Sequence, residues 1–254
     1  FHFPALRKPE SSRSLRYAMT KRAHLRKDPR DFTGGGIGNL PPAAGKTGNP
    51  MIDERIRSLV EEWSCGRSNT QVREMIVTAL KMGEDCLGQG DMKLYSRALK
   101  EMRQASLIFG PYEAERKLSI FGSARTNPEE PEFKAAVAFA KMMRESGFMT
   151  ITGAGPGIME AAQEGAGRDY SFGLNIKLPF EQGANPHIEG DEKLINFNYF
   201  FTRKLAFVKE SDAIAAFPGG FGTMDELFEV MTLIQTGKAQ VVPIVLIDAK
   251  GGTY

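Results

Sequence analysis

The sequence predicts an α/β fold, a doubly wound and mainly parallel sheet with an added N-terminal helical module. Three observations lead there. After Pro111, short unbroken apolar runs alternate with amphipathic helical stretches, the pattern of a parallel sheet covered on both faces. Residues 52–109 follow a helical period throughout. The chain has 254 residues, 41% hydrophobic and 25% charged, which is ordinary for a globular protein and long enough for a sizeable core. That composition argues against whole-chain disorder, and two cysteines argue against a disulfide scaffold. No apolar run approaches the roughly 20 residues of a membrane helix.

Charge divides the chain. Net charge is only +2, yet residues 1–50 hold ten Lys or Arg against three acids, and the rest holds 23 against 28. A mildly acidic body does not suggest nucleic acid as the main partner. The first fifty residues, rich in Arg, Ser, Gly and Pro, read as a basic, poorly ordered extension. Such a leader can be a transit peptide or touch nucleic acid, but its plain reading is a solvated tail. The chain opens on Phe1 and stops at Tyr254 just past an expected strand, so both ends read as cut. With no secretory apolar region, Cys65 and Cys86 are expected to be reduced thiols of a cytoplasmic protein. Gly45-Lys46-Thr47 imitates the end of a phosphate-binding P-loop. The required first glycine falls at Leu40, prolines follow, and no apolar strand precedes, so ATP binding there is not expected.

The helical module covers 51–110. Ile52, Ile56, Leu59, Val60 and Trp63 mark a first helix; Val72, Ile76, Leu80 and Leu87 mark a second, with Asn69 or Thr70 as cap. Met92, Leu94, Leu99, Met102 and Leu107 mark a third, capped by Asp91 after Gly90 stops its predecessor. These stripes read as packing surface. The remaining 111–254 read as a Rossmann-like domain. Strands are expected near 117–121, 148–152, 172–177, 193–197, 212–217 and 241–247, with helices near 131–146, 157–167, 200–210 and 223–236.

Three of those strands end in glycine loops. The first runs into Gly122-Ser123-Ala124-Arg125. The second runs into Gly153-Ala154-Gly155-Pro156-Gly157 and a helix, and a later one into Pro218-Gly219-Gly220-Phe221-Gly222-Thr223 and another helix. Glycine lets the backbone approach a ligand, and free N–H groups at a helix start favour an anion. Three such loops on one sheet edge, where α/β proteins bind ligands, make a phosphate the natural guest. A dinucleotide fits poorly: no loop carries G-x-G-x-x-G, and Lys177 stands where an acid would hold the ribose.

The stretch Thr202 to Glu229 is the richest. Arg203 and Lys204 begin a helix leading into the fifth strand. Glu226 lies three residues after Thr223, the spacing of a capping box. The same carboxylate, at a positive helix terminus, is expected to stay ionised beside a loop-bound phosphate. The two roles are compatible. Arg203 alone reads as a surface charge.

Taken together, Arg203-Lys204, the Pro218–Glu226 run (PGGFGTMDE), Phe121–Arg125, Gly153–Glu160 and Leu178-Pro179-Phe180-Glu181-Gln182 resemble the LOG (LONELY GUY) family of phosphoribohydrolases. Its members have often been labelled possible lysine decarboxylases. The helical module resembles the family's longer, bacterial-type branch. The resemblance implies hydrolysis of the N-glycosidic bond of a nucleoside 5′-monophosphate, AMP or N6-substituted AMP as in cytokinin biosynthesis, to free base and ribose 5-phosphate. It implies Arg203 and Glu226 as the catalytic pair. The substrate and its phosphate would be held by Gly122, Ser123, Arg125, Gly153, Gly155, Gly157, Met159, Lys204, Pro218, Gly219, Gly220, Phe221, Gly222 and Thr223. It also implies a homodimer or a higher homo-oligomer in which the helical module takes part.

The chemistry needs no cofactor. Cleaving a ribose–base bond builds an oxocarbenium-like charge that a carboxylate can stabilise while it orients water. His2, His24 and His187 have no metal-ligand spacing, so no metal is expected. A decarboxylase would need a pyridoxal Schiff base, for which Lys204 is the only lysine beside the motifs. The competing expectation is a protein of the same fold that binds a nucleotide or another phosphorylated ligand without turning it over.

Overall fold

The computed structural model describes residues 45–177 and 183–252. The basic extension over 1–44 and the Leu178–Gln182 loop lie outside the described residues. What is described divides into two compact units, one ending at Leu99 and the other beginning at Lys100.

The first unit is helical. Helix α1 (Pro50–Trp63) starts with Asn49, whose side chain accepts from the Met51 and Ile52 amides, and with Pro50 in the first turn. Just before it, Thr47 bonds Asp53 through its amide (2.8 Å) and hydroxyl (2.7 Å), so Gly45-Lys46-Thr47 is a helix lead-in. Helix α2 (Asn69–Glu84) begins one residue after Ser68 with no side-chain cap. Ile56 and Val60 of α1 pack with Val77, joined by Val72 and Ile76. Leu59, Trp63 and Leu80, expected in the packed stripes, are exposed.

The second unit is the α/β body. Helix α3 (Gln89–Phe109) spans the boundary. It begins before Gly90, which is accommodated in the first turn, so Asp91 is not its cap. Six parallel strands follow: β1 (Arg116–Phe121), β2 (Phe148–Thr152), β3 (Ser171–Ile176), β4 (Leu194–Phe197), β5 (Ala213–Ala216) and β6 (Ile244–Leu246). Their order is β4-β3-β2-β1-β5-β6. Helices α4 (Pro131–Glu145), α5 (Ile158–Ala166), α6 (Phe200–Glu210) and α7 (Phe221–Gln235) fill the crossovers. Each agrees within two residues at either end with the stretches read from periodicity.

Alternation along the strands explains the double winding. In β1, Leu118 and Ile120 join Phe133, Ala136 and Ala140 of α4 and Ala161 and Ala162 of α5. Phe121 points the other way, into a cluster with Phe207 of α6 and Leu227 of α7. β5 does the same, with Ala213 and Ala215 on one face and Ile214 and Ala216 on the other. The second cluster also takes Ala105 and Phe109 of α3, and Phe109 stacks on Phe172 at 4.4 Å between ring centroids. The face α3 buries in this unit is therefore Glu101, Ala105 and Phe109, four residues apart. The Leu99, Met102 and Leu107 stripe lies exposed, because the Phe109 stack fixes the rotation of the helix.

Phe172 also meets Tyr112 edge-on at 5.1 Å. Removing its ring leaves a cavity at the centre of this layer. Phe172→Ala is expected to destabilise the α/β unit by about 3–5 kcal/mol, read as a lowered denaturation midpoint.

Candidate active site

Strand order reverses between β1 and β5, and their carboxyl ends open onto the first and third glycine loops. Backbone hydrogen bonds tie all three loops together there. The Ser123 amide donates to Pro218 O (3.0 Å), and Ser123 O accepts from the Ile158 amide at the start of α5 (3.0 Å). The second loop must pass very close to the first. Gly157 has φ +70°, and a Cβ there would run into the Ser123 carbonyl, so only glycine serves.

Into this corner come Arg203 from the first turn of α6 and Glu226 from α7. The Arg203 Nη2 lies 3.2 Å from Glu226 Oε1. Arg203 is only 8% exposed, with its guanidinium 5.4 Å from the Phe207 ring centroid. Its seat depends on Gly153: a Cβ there would come within 2.5 Å of Arg203 Nη2 and 2.7 Å of Met159 Sδ. Met159 thus walls the same pocket.

The carboxylate is not the ionised helix-start residue expected from spacing. Burial pushes the Glu226 pKa up to about 7 and outweighs the lowering by Arg203; Asp225 and Glu229 add to the rise, and Lys204 opposes it. Nor is there a capping box. Helix α7 starts at Phe221, with Gly220 at the N-cap and no capping side chain, so Thr223 lies inside the first turn and Glu226 in the second. The fully extended Gly220 lets the helix begin two residues early, leaving the first-turn amides uncapped.

The other expected residues separate. Gly122, Ser123, Gly155, Pro218 and Gly219 are half-buried around the corner, Thr223 is buried, and Gly220 and Gly222 are exposed. A Cβ on either of the last two would meet nothing, so their backbone is open to approach. Arg125 is exposed, with its amide bonded to Ser123 Oγ (3.1 Å), and Phe221 projects into solvent at 97% exposure. Lys204 turns away from the pair, to Asp225 (2.7 Å) and Glu229 (2.9 Å). Burial alone would lower its pKa, but those two carboxylates leave it raised. Such a lysine is held as a cation, which does not fit a Schiff base with pyridoxal phosphate. A groove of about 870 Å³ opens between the start of α6 and the later turns of α7, lined by Tyr199, Phe201, Lys204, Asp225 and Phe228 among others.

One supporting residue escaped sequence reasoning. Buried Asn185 donates its backbone amide to Ala154 O (2.8 Å), and its side-chain nitrogen lies within bonding distance of Ala154 O (3.1 Å), Gly155 O (2.9 Å) and Gln163 Oε1 (2.7 Å). Ala154 has φ +62°, a left-handed conformation that a non-glycine residue adopts at a cost of about 1–3 kcal/mol. Asn185 holds the glycine loop in that shape. The signal was an asparagine in a Pro/Gly-rich loop, a common pattern with many roles.

The raised Glu226 pKa has a thermodynamic signature. The folded state binds its proton more tightly than the unfolded chain, whose carboxyl titrates near 4.5. Between pH 4.5 and about 7 the native protein therefore loses stability as pH rises, on the order of 1–3 kcal/mol from this one group. Denaturant titrations across that range are expected to show this loss in the native protein, and a smaller one in Glu226→Gln.

With this geometry established, similarity to known proteins gives it context. The family described as possible lysine decarboxylase matches residues 157–254. The chain is 30% identical over 148 residues to the pyrimidine/purine nucleotide 5′-monophosphate nucleosidase of Escherichia coli (strain K12), covering 54% of this chain and 32% of that protein. It is 27% identical over 142 residues to a cytokinin riboside 5′-monophosphate phosphoribohydrolase of Arabidopsis thaliana, covering 54% of this chain and 64% of that one. Among solved structures, the molybdenum cofactor binding protein from the phototrophic bacterium Rippkaea orientalis is similar over 53% of this chain and 77% of that chain, with 21% identity and a TM-score of 0.41. The chain spans about a third of the length of the Escherichia coli relative. Over residues 157–254 the chain matches the LOG-type, possible-lysine-decarboxylase family, as the resemblance in its motifs implied.

Proposed function

We propose that this protein hydrolyses the N-glycosidic bond of a nucleoside 5′-monophosphate, AMP or an N6-substituted AMP, releasing free base and ribose 5-phosphate. The observation that carries the reading is the Arg203–Glu226 pair, a buried arginine and a half-buried glutamate 3.2 Å apart at the point where strand order reverses. Named relatives that act on nucleoside monophosphates support the substrate class.

The 5′-phosphate takes the uncapped first turn of α7 and the open backbone of Gly220 and Gly222, where free amides and the helix dipole attract an anion. Anchored there, the sugar's anomeric carbon is brought to the carboxylate. As the bond to the base nitrogen breaks and its electron pair leaves with the base, positive charge grows on the sugar. Ionised Glu226 stabilises that charge and takes a proton from the attacking water, whose oxygen forms the new bond to the anomeric carbon. The departing base nitrogen takes a proton from solvent, and Glu226 returns to solvent the proton it accepted from the attacking water. A carboxyl with a pKa of about 7 suits this base role, since base catalysis works best when the pKa lies near the operating pH. Arg203, always cationic, clamps ribose or phosphate or offsets charge on the leaving base. The proposal includes association into at least a homodimer, and a reducing compartment suits the two exposed thiols, Cys65 and Cys86.

Incubation of the protein with AMP is expected to release adenine, resolved chromatographically. Glu226→Ala and Arg203→Ala are expected to lower kcat by about 10²–10⁴ with the fold intact. The value of kcat/KM should rise with pH through about 7 as Glu226 of the free enzyme ionises. Binding of AMP with no base released from any purine or pyrimidine monophosphate would make the site a nucleotide-binding one instead.

A further inference from the structure

Helix α6 carries Arg203 in its first turn, yet supplies no cap of its own. Tyr199 occupies the N-cap position and makes no side-chain capping bond. A carboxylate from α3, about a hundred residues earlier in the chain, instead holds the residues on either side of that position. Glu101 Oε1 accepts from the Asn198 amide (2.9 Å) and from Asn198 Nδ2 (2.8 Å), and its Oε2 accepts from the Thr202 hydroxyl (2.6 Å). Glu101 is 8% exposed, in the same buried face of α3 as Ala105 and Phe109. A buried carboxylate with three donors at a helix N-terminus is well compensated, both by charge-assisted bonds and by the helix dipole.

Its place in the turn gives it a second consequence. Successive helical residues project about 100° apart, so fixing Thr202 toward α3 fixes where its neighbour Arg203 points. Arg203 has little tolerance, because it must thread past Gly153 and Met159 to reach Glu226. Anchored at 198 and 202, the start of α6 is held against unwinding and rotation. We propose that Glu101 is a positioning residue for the Arg203–Glu226 pair, acting as an anchor from α3 that sets the rotation of the α6 turn. As a contribution to turnover this rests on the proposed hydrolysis; as a contribution to the geometry of the pair it does not.

The bonding pattern also says which substitution the site accepts. The Thr202 hydroxyl lies 2.6 Å from Glu101 and 2.9 Å from Tyr199 O, and its single proton can serve only one of them. A glutamine at 101 can accept both Asn198 donors on its oxygen and donate its amide to Thr202 Oγ, whose proton then goes to Tyr199 O. Alanine can do neither.

The test uses the full chain and two readouts. In AMP hydrolysis, Glu101→Ala is expected to lower kcat by about tenfold or more with KM within about threefold, and Glu101→Gln to recover most of the loss. Independently of turnover, carbon-13 titration of the Glu226 carboxyl should place its midpoint near 7 in the native protein and higher in Glu101→Ala, where Arg203 no longer sits firmly beside it. Glu101→Gln should leave that midpoint in place. If the native protein releases no base, the functional reading fails and the titration alone judges Glu101. A folded Glu101→Ala with native kcat and an unmoved Glu226 midpoint would overturn the proposal and leave Glu101 a simple staple. Should Glu101→Ala not fold, Thr202→Val takes its place, since it removes the bond next to Arg203 and keeps those to Asn198. An upward shift of the Glu226 midpoint there supports the proposal, and no shift overturns it.

Discussion

The arrangement turns on one constraint: a guanidinium and a carboxylate share a site from which water is largely removed. Neither charge is comfortable there alone. Desolvating an ion costs several kcal/mol, and the partner's attraction returns that only when geometry is good. Here the carboxyl remains strained toward its neutral form, with a pKa of about 7 beside an arginine that should have lowered it. Much of the surrounding structure reads as a means of tolerating this pair. Gly153 gives up its side chain so that the guanidinium can lie against the loop. Asn185 holds Ala154 in a conformation it would otherwise leave, and Phe207 supplies a ring beside the cation. The cores on either face of the sheet provide the rigidity that keeps these elements in register.

Most of the α/β body was legible because its signals are local. Apolar runs such as LSIF and AIAA that empty into glycine loops read as buried strands at this length, and their spacing by helices points to parallel pairing. The three glycine loops could likewise be read from sequence, whereas the Arg203–Glu226 combination followed only from the family resemblance, because Arg203 alone reads as a surface charge. What failed shared one feature, dependence on partners distant in sequence. Thr223-x-x-Glu226 has capping-box spacing, but whether a helix starts at Phe221 or two residues later depends on the backbone of Gly220, where glycine permits either. Glu226 was expected to be ionised because a helix terminus is a local feature; the burial that opposes this comes from the sheet edge and α6. In α3 the large residues Leu99, Met102 and Leu107 suggested the wrong face. The buried face contains a glutamate whose donors lie about a hundred residues away. A charged residue in a helix core is invisible to any periodicity argument until those donors are known.

Charge partition between α6 and α7 completes the picture. Helix α7 presents three acids, Asp225, Glu226 and Glu229, to two adjacent cations of α6. Because neighbours on a helix diverge by about 100°, Arg203 and Lys204 cannot serve the same carboxylate equally. Lys204 takes Asp225 and Glu229 at the rim, and Arg203 takes Glu226 inside. The cluster carries one negative charge more than its cations balance, and the excess falls on the group with the poorest access to water. A proton on Glu226 neutralises the cluster as a whole, but burial is the main reason that proton is held to near neutral pH even with a guanidinium 3.2 Å away, with Asp225 and Glu229 adding to it. The same reasoning separates the two cations by role. Lys204, held between two carboxylates, screens the rim and keeps the excess charge from rising further. Arg203, facing a carboxyl that can be charged or neutral, is the cation whose environment changes when that proton leaves. An anionic phosphate arriving at the start of α7 would add to the negative charge and strengthen the hold on the proton, so occupancy of the loop and ionisation of Glu226 are coupled through a single electrostatic cluster.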